Sequence, residues 1–227
     1  MSIQKWGGVA AIIEAFTYIF GFILFFGVLG PNKPDIPEHY LEFLINNRDL
    51  YFVGYLVIGI LFSFTLILLV QSIYHRFKFA SPEIMKFTTT VGYLWVFMIL
   101  SSSMIFLSSL GSLSKYHALD AEHALVIYQA LSVVIDALGG GIEIVGAVWV
   151  IVISYVGLKN KIYNSLLHYW GFVVGISGFL TLFSGFSFLS TNPFFELTTA
   201  IFGLGQIIWF LVLGICMLRD SGLESNS

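Results

Sequence analysis

Apolar residues run along this chain in long blocks, and polar residues gather in the short gaps between them. Five blocks, at about 7–29, 50–73, 87–110, 166–189 and 195–218, reach the roughly 20 residues that a helix needs to cross about 30 Å of hydrocarbon. A sixth block runs 39 residues from Asp120 to Leu158. As one straight helix it would measure on the order of 58 Å, about twice the hydrocarbon thickness, so it must break. Gly139, Gly140 and Gly141 are where a helix breaks most cheaply. The second part, about 139–158, reads as a span. The first, about 121–138, reads as an interfacial or re-entrant helix, or as an extension of a long span beyond the bilayer. The pattern therefore predicts an all-α fold: a polytopic transmembrane bundle of six spans in a single domain over 1–227, with a broken or extended fourth helix at Gly139–Gly141.

Composition supports that class. Of the 227 residues 58% are hydrophobic and 10% charged, against about 25% charged in soluble domains, and mean hydropathy is +0.91. The lipid bilayer is the implied partner, and a net charge of −3 gives no footprint for nucleic acid. Lys5 precedes the first apolar run, but Glu14 interrupts it and no small-residue cleavage pattern follows, so the run is expected to stay as a span.

Charge orients the bundle. With both termini inside, the inner segments carry Lys5, Arg76, Lys78, Lys86, Lys159, Lys161 and Arg219, and the outer ones only Lys33, Arg48 and Lys115. That seven-to-three bias is what the positive-inside rule expects of cytoplasmic termini, here in a plasma membrane. Counting 121–138 as a seventh span would weaken the bias. The first outer loop holds an amphipathic stretch at about 38–48, where Tyr40, Leu41, Phe43 and Leu44 are expected to rest on the membrane surface.

Three carboxylates, Glu14, Asp136 and Glu143, lie within or beside apolar runs with no basic residue deep in any span. An ionised acid at a helix centre costs about 2.5–3.5 kcal/mol to insert. Either these acids are held neutral and hydrogen-bonded to neighbours, or they face a wet cavity and bind a proton, a cation or an amine-bearing ligand. Glu122, Gln129, Asp136 and Glu143 recur every seven residues, which lines them along one helix face until the glycines interrupt it. Broken helices with nearby acids build many ion and substrate sites. The expected ligand or ion site is thus Glu14, Gln129, Asp136, Gly139, Gly140, Gly141 and Glu143, with Thr17, Thr181, Ser184, Gln206 and the serines at 101–103 as polar neighbours.

The histidines offer a second kind of chemistry. His117, Asp120 and His123 sit three apart, enough to hold zinc with one position open if they share a helix turn, with Glu38 and His39 on another outer loop. His75 and His168 are expected to be solvated residues at the inner boundary. No nucleophile elbow, phosphate loop, HExxH or CxxC is present, no other cofactor is expected, and the single cysteine, Cys216, excludes an intramolecular disulfide.

The stretches GGVAAIIEAFTYIFGFILFFGVLGP (7–31), LGGGIEIVGAVWVIVISYVGLK (138–159) and GLGQIIWFLVLGICMLR (203–219) resemble a prokaryotic family of six-span membrane proteins of about this length, known as a domain of unknown function. The resemblance implies fold and topology over nearly the whole chain, and no activity.

Three function classes fit these residues. One is a small transporter or ligand-binding protein with an intramembrane acidic site. Another is an accessory or structural subunit of a homo-oligomer or larger membrane complex, its carboxylates serving as neutral packing groups. The third is a membrane-embedded, metal-dependent hydrolase.

Overall fold

The computed structural model describes residues 2–139, 143–189 and 192–220, and every regular element among them is helical. Six helical segments are long and apolar enough to cross a membrane: Ile3–Asn32, Arg48–Phe77, Pro82–Leu119, Ala121–Lys159, Ser165–Gly185 and Pro193–Asp220. The chain is a multi-pass membrane protein.

Within these segments the α-helices are α1 (Ile3–Phe22), α2 (Pro37–Asn46), α3 (Arg48–Tyr55), α4 (Phe62–Phe77), α5 (Pro82–Leu119), α6 (Ala121–Gly139), α7 (Ile144–Lys159), α8 (Ser165–Leu180) and α9 (Pro193–Asp220). The expected break is present: α6 ends at Gly139, Glu143 has left the helical conformation, and α7 starts at Ile144. The other boundaries follow from local chemistry. Asn164 and Asn192 each accept a hydrogen bond from the backbone two residues on, at 2.9 and 3.0 Å, and so start α8 and α9. Prolines open α5 and α9, where a missing N–H costs nothing. Two wide π-helical segments, Ile23–Leu29 and Leu56–Leu61, follow α1 and α3. Neither shows in the hydrophobic pattern. At 38 residues, α5 measures about 57 Å, well beyond the hydrocarbon thickness.

Residue contacts divide the chain into two compact units. The first comprises residues 1–18, 64–96 and 142–227, and the second 19–63 and 97–141.

The first unit is organised around α7, α8 and α9. Trp95, Trp149 and Trp209 form a chain of ring contacts, with centroids 5.7 and 5.8 Å apart. Small residues let the helices close up. A Cβ on Gly171 would lie 2.0 Å from Ser154 Oγ, so α7 and α8 pack nearly backbone to backbone. His168 is buried, at 1% exposure, against Gly157, with Nε2 on the Ile162 carbonyl. The expectation of a solvated His168 is therefore wrong. The tight turn at 160–164 folds α8 back so that the imidazole closes over α7.

The second unit has its own core of Leu24, Leu29, Leu44, Tyr51, Phe106, Leu110 and Ile135. Leu41 and Leu44 of α2 are both 1% exposed, and α2 packs on α6. This corrects the expected surface-lying stretch at 38–48. Its apolar face is used against protein, with the Tyr40 ring meeting that of Tyr128 and its hydroxyl 3.3 Å from the Tyr51 hydroxyl. Periodicity shows that a helix has an apolar face; it does not show whether lipid or protein covers it.

Candidate functional site

The first unit holds two of the intramembrane acids. Glu14 lies on the buried face of α1, and its side chain is completely enclosed. Its Oε1 accepts a 2.7 Å hydrogen bond from the Thr65 hydroxyl of α4. Its Oε2, also enclosed, has no hydrogen-bond partner among the described residues. Thr17 turns its hydroxyl back onto the Glu14 carbonyl at 2.8 Å, which leaves the carboxylate to its tertiary neighbours.

Glu143 is half-buried at the start of α7, and its backbone N–H donates to Thr181 Oγ1 at 3.3 Å. Thr181 in turn donates to the Gly178 carbonyl at 2.7 Å. The link between the two acids is Tyr18, one helical turn after Glu14, which sits close enough to both Glu143 and Glu14 to feel either charge. Its ring meets Phe210 at 6.1 Å. One turn before Phe210 on the buried face of α9 is Gln206, fully enclosed, with neither amide atom hydrogen-bonded among the described residues.

Buried polar groups are almost always paired with protein or with water. An enclosed carboxylate oxygen and a whole enclosed amide, in a unit that also holds Tyr18 and Glu143, are the groups that an ordered water, a proton or a small polar ligand would satisfy. No ion pair among the described residues involves Glu14 or Glu143.

The remaining expected site residues lie in the second unit. Asp136 and Gly139 line a cavity of about 260 Å³ together with Tyr55, Ser102 and Ser103. Ser102 donates to the Ile135 carbonyl at 2.8 Å, which ties α5 to α6. Gln129 and Glu122 are exposed on α6. Gly140 and Gly141 lie outside the described residues. The seven-residue stripe is thus real along α6 from Glu122 to Asp136 but ends at the break. Glu143 stands at the start of α7.

Asp120 begins α6. Its Oδ1 accepts from the His123 backbone N–H at 3.1 Å, and its Oδ2 contacts His123 Nδ1 at 2.7 Å. These bonds hold the Asp120 carboxyl below the usual carboxylate range. Among the described residues no group of three or more His, Cys, Asp or Glu side chains is placed to hold a metal ion. Asp120 and His123 thus cap the start of α6, and His117 lies in the last turn of α5.

Sequence reasoning missed Tyr18 and Thr65. Tyr18 was within reach, since a residue four after Glu14 shares its helix face. Thr65 is one of many hydroxyls in the apolar runs, and only the packing of α4 on α1 singles it out.

A family model described as a domain of unknown function (DUF4386) matches residues 7–214. No curated protein and no solved structure matches the chain.

Proposed function

The chain belongs to the DUF4386 family, whose description assigns no chemistry, and from its own residues we propose that it is a small transporter or ligand-binding protein of a prokaryotic plasma membrane. In this reading Glu14, Tyr18 and Glu143 form an intramembrane acidic site that takes a proton, a cation or an amine-bearing ligand. Both termini face the cytoplasm, in keeping with the seven-to-three distribution of Lys and Arg.

One observation carries the reading: among the described residues the enclosed Oε2 of Glu14 has no hydrogen-bond partner and the acid has no ion pair. A carboxylate kept only as helix glue would be expected to use both oxygens, because an unsatisfied buried group costs roughly 1–3 kcal/mol. Intramembrane acids that persist at such cost are functional by default.

The accessory-subunit reading has its own support in the Thr65 bond, an interhelical contact that any packed bundle could use. The hydrolase reading has no clustered donor set among the described residues to rest on.

Thermal stability of the purified protein between about pH 5 and pH 9 separates the first two, with Glu14→Gln and Glu143→Gln compared to the wild type. A wet, titrating site predicts a pH-dependent transition that either substitution flattens. Superimposable curves for all three proteins would overturn it and leave the acids as packing groups.

A further inference from the structure

We propose that the cavity beside Asp136 in the second unit binds a small primary ammonium ion. This is a second site, and it does not rest on the reading given to Glu14 and Glu143.

Asp136 lines the cavity, and no ion pair among the described residues involves it. The lining contains no Lys, Arg or His, so a positive charge entering it meets one carboxylate and no repulsion. The hydroxyl-bearing residues Tyr55, Ser102 and Ser103 border the same space. Tyr55 is near enough to Asp136 to feel its charge, and its ring is fixed by stacking on Phe106 at 3.7 Å. An ammonium group has three N–H donors and no acceptor, so a carboxylate flanked by hydroxyl oxygens is its complement.

Size and wall chemistry narrow the class. About 260 Å³ is room for roughly eight waters at about 30 Å³ each, far more than a bare metal ion fills. A hard divalent ion would find a single carboxylate here and would have to keep most of its waters to reach six or more oxygens. The rest of the wall is Ile58, Ile99, Ile135 and Gly139. Apolar walls opposite a carboxylate suit a short alkyl chain carrying a charged nitrogen.

Local backbone geometry builds the space. Ile58 belongs to the π-helical segment Leu56–Leu61 and Tyr55 immediately precedes it, and π segments are frequent at functional sites. In the same segment Gly59 lets Ser103 approach so closely that a Cβ there would lie 1.8 Å from Ser103 Oγ.

The test is calorimetric titration of the full-length protein in detergent with n-butylammonium, using n-butanol and calcium ions as comparison ligands. The wild type should bind n-butylammonium saturably and neither comparison ligand. Asp136→Asn should weaken binding at least about tenfold, because a charged hydrogen bond is lost. Asp136→Glu should retain it, and Tyr55→Phe should weaken it severalfold while keeping the ring stack. The component of binding that Asp136→Asn removes should persist in Glu14→Gln, which separates this site from the pair at Glu14 and Glu143. Equal binding by the wild type and Asp136→Asn would overturn the proposal. So would no saturable binding, butanol binding as well as the amine, or calcium binding that depends on Asp136. If Asp136→Asn does not fold, unaltered affinity in Tyr55→Phe is the overturning result.

Discussion

The Thr65 hydroxyl donates to Glu14 Oε1 at 2.7 Å across two helices, joining residues 51 positions apart in the sequence. This bond fixes which way an enclosed carboxylate points, and it leaves the other oxygen toward whatever completes the site. Thr65→Val keeps the shape and removes the donor. It should destabilise the protein by about 1–3 kcal/mol, the cost of leaving a buried acceptor unpaired. Chemical unfolding in mixed micelles reads this directly, and a variant as stable as the wild type would mean that the bond does not form.

Gly59 and Ser103 test the second unit. A Cβ at Gly59 would stand 1.8 Å from Ser103 Oγ and 2.4 Å from its Cβ. Gly59→Ala should therefore cost about 1–3 kcal/mol through overpacking. Replacing Ser103 with glycine in the same chain should recover most of that loss. Additive effects of the two changes, measured by a double-mutant cycle, would contradict the packing described here.

The cap on α6 gives a pH prediction. The Asp120 carboxyl lies below its ordinary range because it accepts from His123. A carboxyl lowered on folding contributes stability above its unfolded value, near pH 4, and that contribution disappears as pH falls through the folded value. Amide protection over residues 121–124, taken relative to the intrinsic exchange rate at each pH, should fall on acidification from about pH 5 to pH 3. Asp120→Asn keeps an acceptor for the cap and should remove the acid-dependent step. Persistence of that step in the variant would assign it to another group.

Tyr163 predicts the opposite sign. Burial in the turn before α8 pushes its phenol up to about 12, and Gln4 bonds its hydroxyl. A phenol raised on folding contributes stability that is complete below about pH 10 and is lost as pH rises through about 12. In Tyr163→Phe the alkaline loss of stability over that window should be shallower than in the wild type. Identical alkaline melts would show that Tyr163 is solvated.

Much of this architecture was legible because insertion into hydrocarbon leaves a coarse signal. Runs of about 20 apolar residues and a glycine triplet within an overlong block are sufficient to predict six spans and the break after Gly139. Glu14 and Glu143 stood out for the same reason, since charge is expensive there. What the pattern hid was tertiary. Leu41 and Leu44 give the same amphipathic signature whether lipid or α6 covers them. His168 lies near Lys159 and Lys161 in sequence, yet the turn at 160–164 buries it against Gly157. The heptad spacing joined Asp136 to Glu143 only on the assumption of one straight helix, and the break voids that register.

The central claim is that the Glu14–Tyr18–Glu143 cluster can be reached by a small polar partner and is not sealed packing. Labelling with a membrane-permeant carbodiimide, followed by mass spectrometry of the modified peptides, tests it most directly. Glu143, half-buried, should be modified before the enclosed Glu14, and Glu143→Gln should remove the principal modified peptide of the first unit. Modification confined to the exposed acids, with Glu143 and Glu14 untouched after prolonged exposure, would contradict the claim.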